Sequence, residues 1–261
     1  SCSEEQQGTE TAVNGTQTFT FHLTTDGQTQ TRANTAPVVT GYKLKYFLQV
    51  LDAAGNTIGA SSQNNETGTF DVELPAGTTY TCLFWAHYIP DTGSGDNEFF
   101  TATDLKAVTL QKHLTSADQC QAFCATAAIT ISQDEGSQSV VLKRAVAQVN
   151  VKSNEQMTDY TKLTTKYTAV PNTFNVQTSE VGTSGSVTTP SDFEVTDFTA
   201  SSGTDGKFTY QSAYFLASAD GVGSMLGLEI NTYNSASPST PLQTMTIANV
   251  PTKKKVGGAV L

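Results

Sequence analysis

The sequence predicts an all-β protein built as two sandwiches in tandem, and three observations predict it. Thr alone supplies about a sixth of the residues, well above its usual share. Thr, Val, Tyr and Phe favour strands because branched and aromatic side chains pack well on a pleated surface. Apolar and polar residues alternate with period two in one stretch after another, the spacing that gives a strand one dry face and one wet face. Turn signals separate those stretches at intervals that suit sandwiches. A chain of 261 residues has room for two such domains, each with its own core.

Gln17 to Leu23 reads QTFTFHL, with Phe19, Phe21 and Leu23 on one side of a strand. Thr24 to Pro37 is a polar loop with no apolar residue larger than Ala. Lys43 to Leu51 (KLKYFLQVL) ends in the turn Asp52-Ala53-Ala54-Gly55-Asn56. Thr69 to Leu74 follows, then the turn Pro75-Ala76-Gly77, then Thr79 to Tyr88 with the single Trp85. Pro90 to Glu98 is a Gly- and Asp-containing loop, Val108 to Leu110 a short strand, and Ser116 to Ala125 a short helix. Ala127 to Ser132 and Val140 to Val151 close the first half. Polar residues Lys152 to Gln156 mark the boundary between a domain at 16–152 and one at 153–261. In the second, strands read at Lys166 to Val170, Thr173 to Thr178, Phe193 to Phe198, Lys207 to Leu216, Met225 to Tyr233 and Leu242 to Val250. Lys253 to Leu261 look like the start of a further strand, so this domain is expected to be truncated.

Charge removes one class of function. The net charge is −10, and phosphate binding needs a basic face. The one basic run, Lys253 to Lys255, reads as a solvated tail. No apolar run reaches the ~18 residues of a membrane-spanning helix. Catalytic signatures are missing too: no nucleophile elbow, zinc-protease helix, phosphate loop or dinucleotide fingerprint occurs. His22, His87 and His113 share no motif. Asp91, Asp96 and Glu98 share a loop, but their spacing is not that of a calcium hand. The expectation is no catalytic residue, no metal and no cofactor.

The four cysteines divide into one and three. Cys2 stands beside the terminus in Ser1-Cys2-Ser3-Glu4-Glu5, ahead of a polar stretch to about Gly15. A terminal cysteine before a polar tether resembles a bacterial lipoprotein after removal of its signal peptide, where acyl chains on Cys2 give stable anchoring. Residues 1–15 then form a lipidated tether, and Ser-Glu-Glu resembles an acidic signal for the outer face of the outer membrane. Cys82, Cys120 and Cys124 contain no CxxC. On one helix Cys120 and Cys124 would be too far apart to bridge without strain. A bridge from Cys82 to either, or three buried thiols, both fit.

Several strings, in order, resemble the fimbrillin-like proteins of Bacteroidales type V pili. They are Thr31-Arg32-Ala33 before the strand ending in Asp52-Ala53-Ala54-Gly55, and Pro75-Ala76-Gly77 leading into Phe84-Trp85-Ala86. Thr103-Asp104-Leu105-Lys106-Ala107-Val108 running into Asp118 to Cys124 is a third. Leu142-Lys143-Arg144-Ala145-Val146-Ala147-Gln148-Val149-Asn150-Val151 is similar to that family's signature strand. The likeness covers about residues 16 to 152, with a weaker echo at Asn249-Val250-Pro251.

The resemblance implies two transthyretin-like (Greek-key) sandwiches, export as a lipoprotein, and a place on the outer membrane surface in a fimbrium. It implies other pilus subunits as partners through donor-strand addition, the outer membrane through the N-terminal lipid, and a host or bacterial surface ligand. Family members that polymerise are cut by an arginine-specific protease in the loop after the first strand. That strand leaves, and a neighbour's strand fills the groove. Of the two arginines here, Arg144 lies inside an apolar run and reads as structural, so Arg32 is the candidate for cleavage. An alternative function is a surface-tethered glycan-binding lipoprotein, using Tyr88, Phe99 and Phe100 as exposed rings around the Pro90 to Glu98 loop. Trp85 is expected between sheets, packed with the Lys43–Leu51 and Leu142–Val151 strands.

Overall fold

A computed structural model describes residues 15–26, 36–92, 98–132, 136–183, 192–218 and 225–251. The first half holds strands β1 (Thr16–Asp26), β2 (Tyr42–Leu51), β3 (Gln63–Asn65), β4 (Thr69–Pro75) and β5 (Thr79–Pro90). After these come β6 (Phe100–Thr101), β7 (Val108–Leu110), β8 (Ala122–Thr130) and β9 (Gly136–Arg144). Next in the chain are β10 (Val146–Ser153), β11 (Lys162–Thr168), β12 (Thr173–Asn175) and β13 (Glu180–Gly182). The last four are β14 (Asp192–Val195), β15 (Phe208–Leu216), β16 (Met225–Tyr233) and β17 (Gln243–Pro251). The protein is all-β: among the described residues helix is confined to two single 3₁₀ turns, Gly59–Ser61 and Asp118–Cys120.

The helix expected over Ser116 to Ala125 is therefore corrected. The 3₁₀ turn occupies only its middle, and β8 begins at Ala122. Local propensity yields here to pairing, because β8 lies antiparallel along β5 from Thr79↔Thr130 to His87↔Ala122. The single run read from Val140 to Val151 is also two strands. Buried Ala145 stands between β9 and β10, and its small side chain fits a crowded junction. There Ala145 N–H donates to the Ala122 carbonyl at 2.8 Å and its own carbonyl accepts from Ala217 N–H at 3.0 Å.

Seven strands make one sheet in the order β3-β2-β5-β8-β9-β1-β4. It folds over on itself where β8 and β9 share only the pairs Phe123↔Arg144 and Cys124↔Lys143. A core of Phe21, Leu48, Val50, Phe70, Val72, Cys82, Phe84, Phe123 and Leu142 lies inside the fold. β4 shows how a one-sided strand reads: Phe70, Val72 and Leu74 face in while Thr69, Asp71 and Glu73 face out. β5 reads differently because both of its faces are covered, and almost every residue from Cys82 to Ile89 is buried. Its second face packs on a four-stranded sheet, β13-β12-β7-β6, whose strands come from both halves of the sequence. Trp85, Leu83, Phe100, Leu105, Val108 and Phe174 form that second core.

The remaining strands form a two-stranded sheet, β10-β15, facing a four-stranded sheet, β14-β11-β16-β17. Val151, Tyr167, Phe215, Leu226 and Leu228 fill the space between them.

Candidate functional site: the first strand and its seat

β1 is an inner strand of the large sheet, flanked by β4 and β9. It runs antiparallel to β4 from Thr16↔Pro75 to His22↔Thr69. Against β9 it runs parallel, from Phe19↔Gly136 to Asp26↔Lys143. Alternation does the rest. Phe21, Leu23 and Thr25 are buried, Phe19 is half-buried, and His22 and Thr24 face out. The Phe21 ring meets Phe84 edge-on and tilts against Phe19, with both centroid distances 5.0 Å.

Two glycines shape the seat. A Cβ on Gly136 would fall 2.4 Å from the Phe19 ring, so only glycine lets β9 pass that close. Gly68, at φ +75°, has its carbonyl 2.8 Å from the Leu23 N–H and lies against the Tyr46 ring. Sequence reasoning placed Phe19, Phe21 and Leu23 on one face and read strands at Thr69 to Leu74 and from Val140, but missed both glycines and the pairing of these strands with β1. The alternating TFDVELP of β4 was a visible signal. The β1–β9 parallel pairing left none, since a parallel partner is set by a crossover distant in sequence.

The chain leaves β1 at Asp26 and returns at Ala36, whose N–H donates to Thr25 Oγ1 at 2.9 Å. One residue on, the Pro37 carbonyl accepts the Tyr88 hydroxyl at 2.5 Å. Both ends of the intervening loop are therefore held against the core. Arg32 belongs to that loop and, like Cys2, lies outside the described residues. Arg144 ends β9 opposite Phe123, half-buried with its Nε enclosed, in the interior of the sheet and not at an edge.

β4 is held independently of β1. Gln63 Nε2 donates to the Asp71 carbonyl at 2.8 Å, and Asn65 Nδ2 donates to the Thr69 carbonyl at 2.7 Å. Short connections also tie it to β3 and β5. Withdrawal of β1 would thus leave two strand edges in place and a slot floored by Phe84, Phe70, Val72 and Leu142.

The rings proposed for a glycan surface are buried. Tyr88, Phe99 and Phe100 all lie in the interior, so that expectation is corrected: Phe99 and Phe100 belong to the core that holds Trp85, and Tyr88, on β5, belongs to the first core. Phe100 packs edge-on to Trp85 at 5.5 Å, and Lys112 Nζ sits 4.7 Å over the Phe99 ring. Glu98 pairs with Lys112 at 2.7 Å and accepts the Tyr42 hydroxyl at 3.2 Å. Asp96 is outside the described residues, and among those described no three His, Cys, Asp or Glu residues come together as a metal site.

Trp85 is fully buried, as expected, but on the second face of β5. It packs there with Leu51 of β2 and with Val146, while Leu142 lies in the other core. Its indole N–H donates to His87 Nδ1 at 2.9 Å. The thiols are buried and unbridged, Cys82 in the first core and Cys120 and Cys124 in the second. That separation across the sheet excludes a bridge from Cys82. Burial pushes the Cys82 thiol up to about 12 and also raises Cys120, the direction that disfavours a thiolate.

Solved structures of candidate adhesins from Bacteroides species share this fold. A candidate adhesin of Bacteroides ovatus aligns at 10% identity with a TM-score of 0.51, over 98% of this chain and 94% of its own. Another, from Bacteroides thetaiotaomicron, aligns at 11% identity with a TM-score of 0.53, over 93% and 82%. The fimbrial anchor protein Mfa2 of Porphyromonas gingivalis aligns more loosely, at 11% identity with a TM-score of 0.46, over 88% of this chain and 82% of its own. At these identities the likeness is one of fold, and it agrees with the fimbrillin-like resemblance read from the sequence. Among curated proteins there is no match. Residues 8–256 match the sequence family described as "Family of unknown function (DUF6562)", and the chain belongs to that family.

Proposed function

We propose that the protein is a lipid-anchored surface component of a pilus, a structural subunit or accessory adhesin, in which β1 is an exchangeable strand. The observation that carries this reading is the seat of β1. It is the first of the described strands, joins its neighbours by no hairpin, and lies between β9 and the edge strand β4, which has its own ties to β3. A slot with two open edges and apolar pockets at alternate positions suits a donor strand, since backbone bonds supply affinity and the pockets supply register. Phe19, Phe21 and Leu23 mark the pockets such a donor would fill.

In this reading the chain is two transthyretin-like sandwiches, with the expected boundary at Lys152 moved ahead of β10, which pairs β15 in the second, and Cys2 carries the lipid that holds the uncut chain at the outer membrane. Cleavage after Arg32 frees β1 from the rest of the chain. Departure then requires loss of the Ala36–Thr25 bond and of both flanking ladders. The burial of Tyr88, Phe99 and Phe100 leaves the glycan alternative without the rings it needed.

Limited digestion with an Arg-specific protease, followed by mass spectrometry and native gels, tests the reading. Cleavage at Arg32, release of β1 and capture of an added donor strand are expected. A protected Arg32, or a cut protein that keeps β1 and binds nothing, removes the strand-exchange role. For the anchor, a Cys2→Ser protein with its native signal peptide should leave the membrane fraction; retention equal to the parent contradicts lipidation at Cys2.

A further inference from the structure

A strand at the edge of a sheet offers unpaired backbone groups to any other chain, and most edges among the described residues are short or blunted. β3, β6 and β13 are only two or three residues long. β14 has four residues and carries Asp192 and Glu194. β4 carries Asp71 and Glu73, and the amides of Gln63 and Asn65 bond to two of its carbonyls. β10 carries Lys152, paired with Asp205 at 2.7 Å. On the other side of that sheet, Tyr214 N–H of β15 donates to the Thr115 carbonyl at 3.2 Å.

β17 is the exception. It is an outer strand of its sheet, nine residues long. The longest stretch of the chain without a charged residue begins at Ile230 and takes in all of it. Four large apolar side chains are exposed among the described residues, and two of them belong here: Leu242 just before the strand and Met245, 59% exposed, within it. From Gln243 to Ile247 the strand is regular, pairing one for one with Thr232 to Leu228, and its register shift comes only beyond Ile247. No bulge therefore twists this part of the edge away. Met245 opposes Ile230, which packs on the third core, so it lies on the core side of the sheet. The facing sheet has two strands against four and leaves Met245 uncovered. Thr244 and Thr246 lie on the outer side, both exposed.

We propose that β17 pairs with β17 of a second copy of this chain, antiparallel about a two-fold axis at Met245, joining two four-stranded sheets into one. The strand is its own complement in that register. Met245 meets Met245 of the partner subunit, and Thr244 meets Thr246 of the partner subunit. An apolar pair then forms on the core side and Thr–Thr pairs on the outer side, both of which stabilise a sheet. Charge selects this strip for self-association. At a net charge of −10, two copies repel over much of their surface, and like charges opposed across strands are destabilising. β17 brings no charge to the contact. The first carboxylate met in the ladder is Glu229 on β16, three strand spacings from its equivalent. That is ~14 Å, beyond the ~8 Å screening length at physiological salt. This inference is independent of strand exchange at β1.

Analytical ultracentrifugation of the full, uncut chain carrying Cys2→Ser tests it. Without cleavage β1 stays in its seat, so assembly through that strand does not contribute. The mass should rise from one chain to two with concentration. Met245→Lys, a charge added at an exposed position, should weaken association roughly tenfold or more while the melting temperature holds. Met245→Cys should form a disulfide-linked dimer on mild oxidation, because directly opposed antiparallel residues lie within reach of a bridge. A chain that stays monomeric up to about 1 mM overturns the proposal and leaves the edge to a different partner. Association that Met245→Lys leaves unchanged overturns it too, since the contact then lies elsewhere. Absence of the Met245→Cys crosslink in an associating chain contradicts the two-fold axis.

Discussion

The rings of Phe21 and Phe84 meet edge-on with centroids 5.0 Å apart, although three strand-to-strand steps separate β1 from β5 in their sheet. At ~4.8 Å per step a flat sheet would hold them ~14 Å apart. The contact exists because the sheet folds over at the short β8–β9 junction, and it makes β1 part of the core as well as of the ladder.

Phe21→Ala should cost about 3–5 kcal/mol, since it removes a fully buried ring between β1 and the facing strands. Urea unfolding should show a lower midpoint. An unchanged midpoint would mean that β1 is not seated as described.

Trp85→Ala should also cost about 3–5 kcal/mol. Trp85 packs on Phe174 at 5.7 Å as well as on Phe100, so the loss should reach β12 in the second half of the chain. Thermal melting measures the first effect, and faster hydrogen exchange across Thr173–Asn175 measures the second. Normal exchange there would contradict a shared core.

Cys82 should resist alkylation in the folded protein and react once unfolded, because burial lifts its thiol from the usual 9.0 to about 12. A folded-state value above the unfolded one means that the linked stability is full below about pH 9 and drains away as pH rises toward 12. Melting temperatures above pH 9 should therefore fall, and fall less steeply in Cys82→Ala; Cys120, raised in the same direction, keeps part of the slope. Equal slopes would contradict the assignment.

Much of the fold was legible where a strand has one wet face. QTFTFHL and TFDVELP show period two, and their apolar sets are the ones found buried. The spans Met225 to Tyr233 and Val108 to Leu110 match β16 and β7. Legibility failed where both faces are covered. Phe99 and Phe100 looked exposed beside a polar loop, because nothing local reveals that β12, some 70 residues on, belongs to the same core. It failed again at Ala145, where one apolar run serves two sheets, and at Ser116 to Ala125, where pairing with β5 overrides a helical composition. Of the candidate site, the strand and its dry face were readable, while its parallel neighbour was not.

Thr20 and Asp71 face each other across β1 and β4, with the Thr20 hydroxyl donating to Asp71 Oδ1 at 2.6 Å. A directly opposed antiparallel pair lies within reach of a disulfide, so Thr20→Cys with Asp71→Cys can lock β1 in its seat. The decisive measurement is assembly of this double variant after Arg-specific cleavage, followed on native gels with and without reductant. The account predicts that the oxidised protein is cut but keeps β1 and forms no ladder, and that reduction releases β1 and restores assembly. Ladders that form equally in the oxidised and reduced protein would contradict exchange of β1.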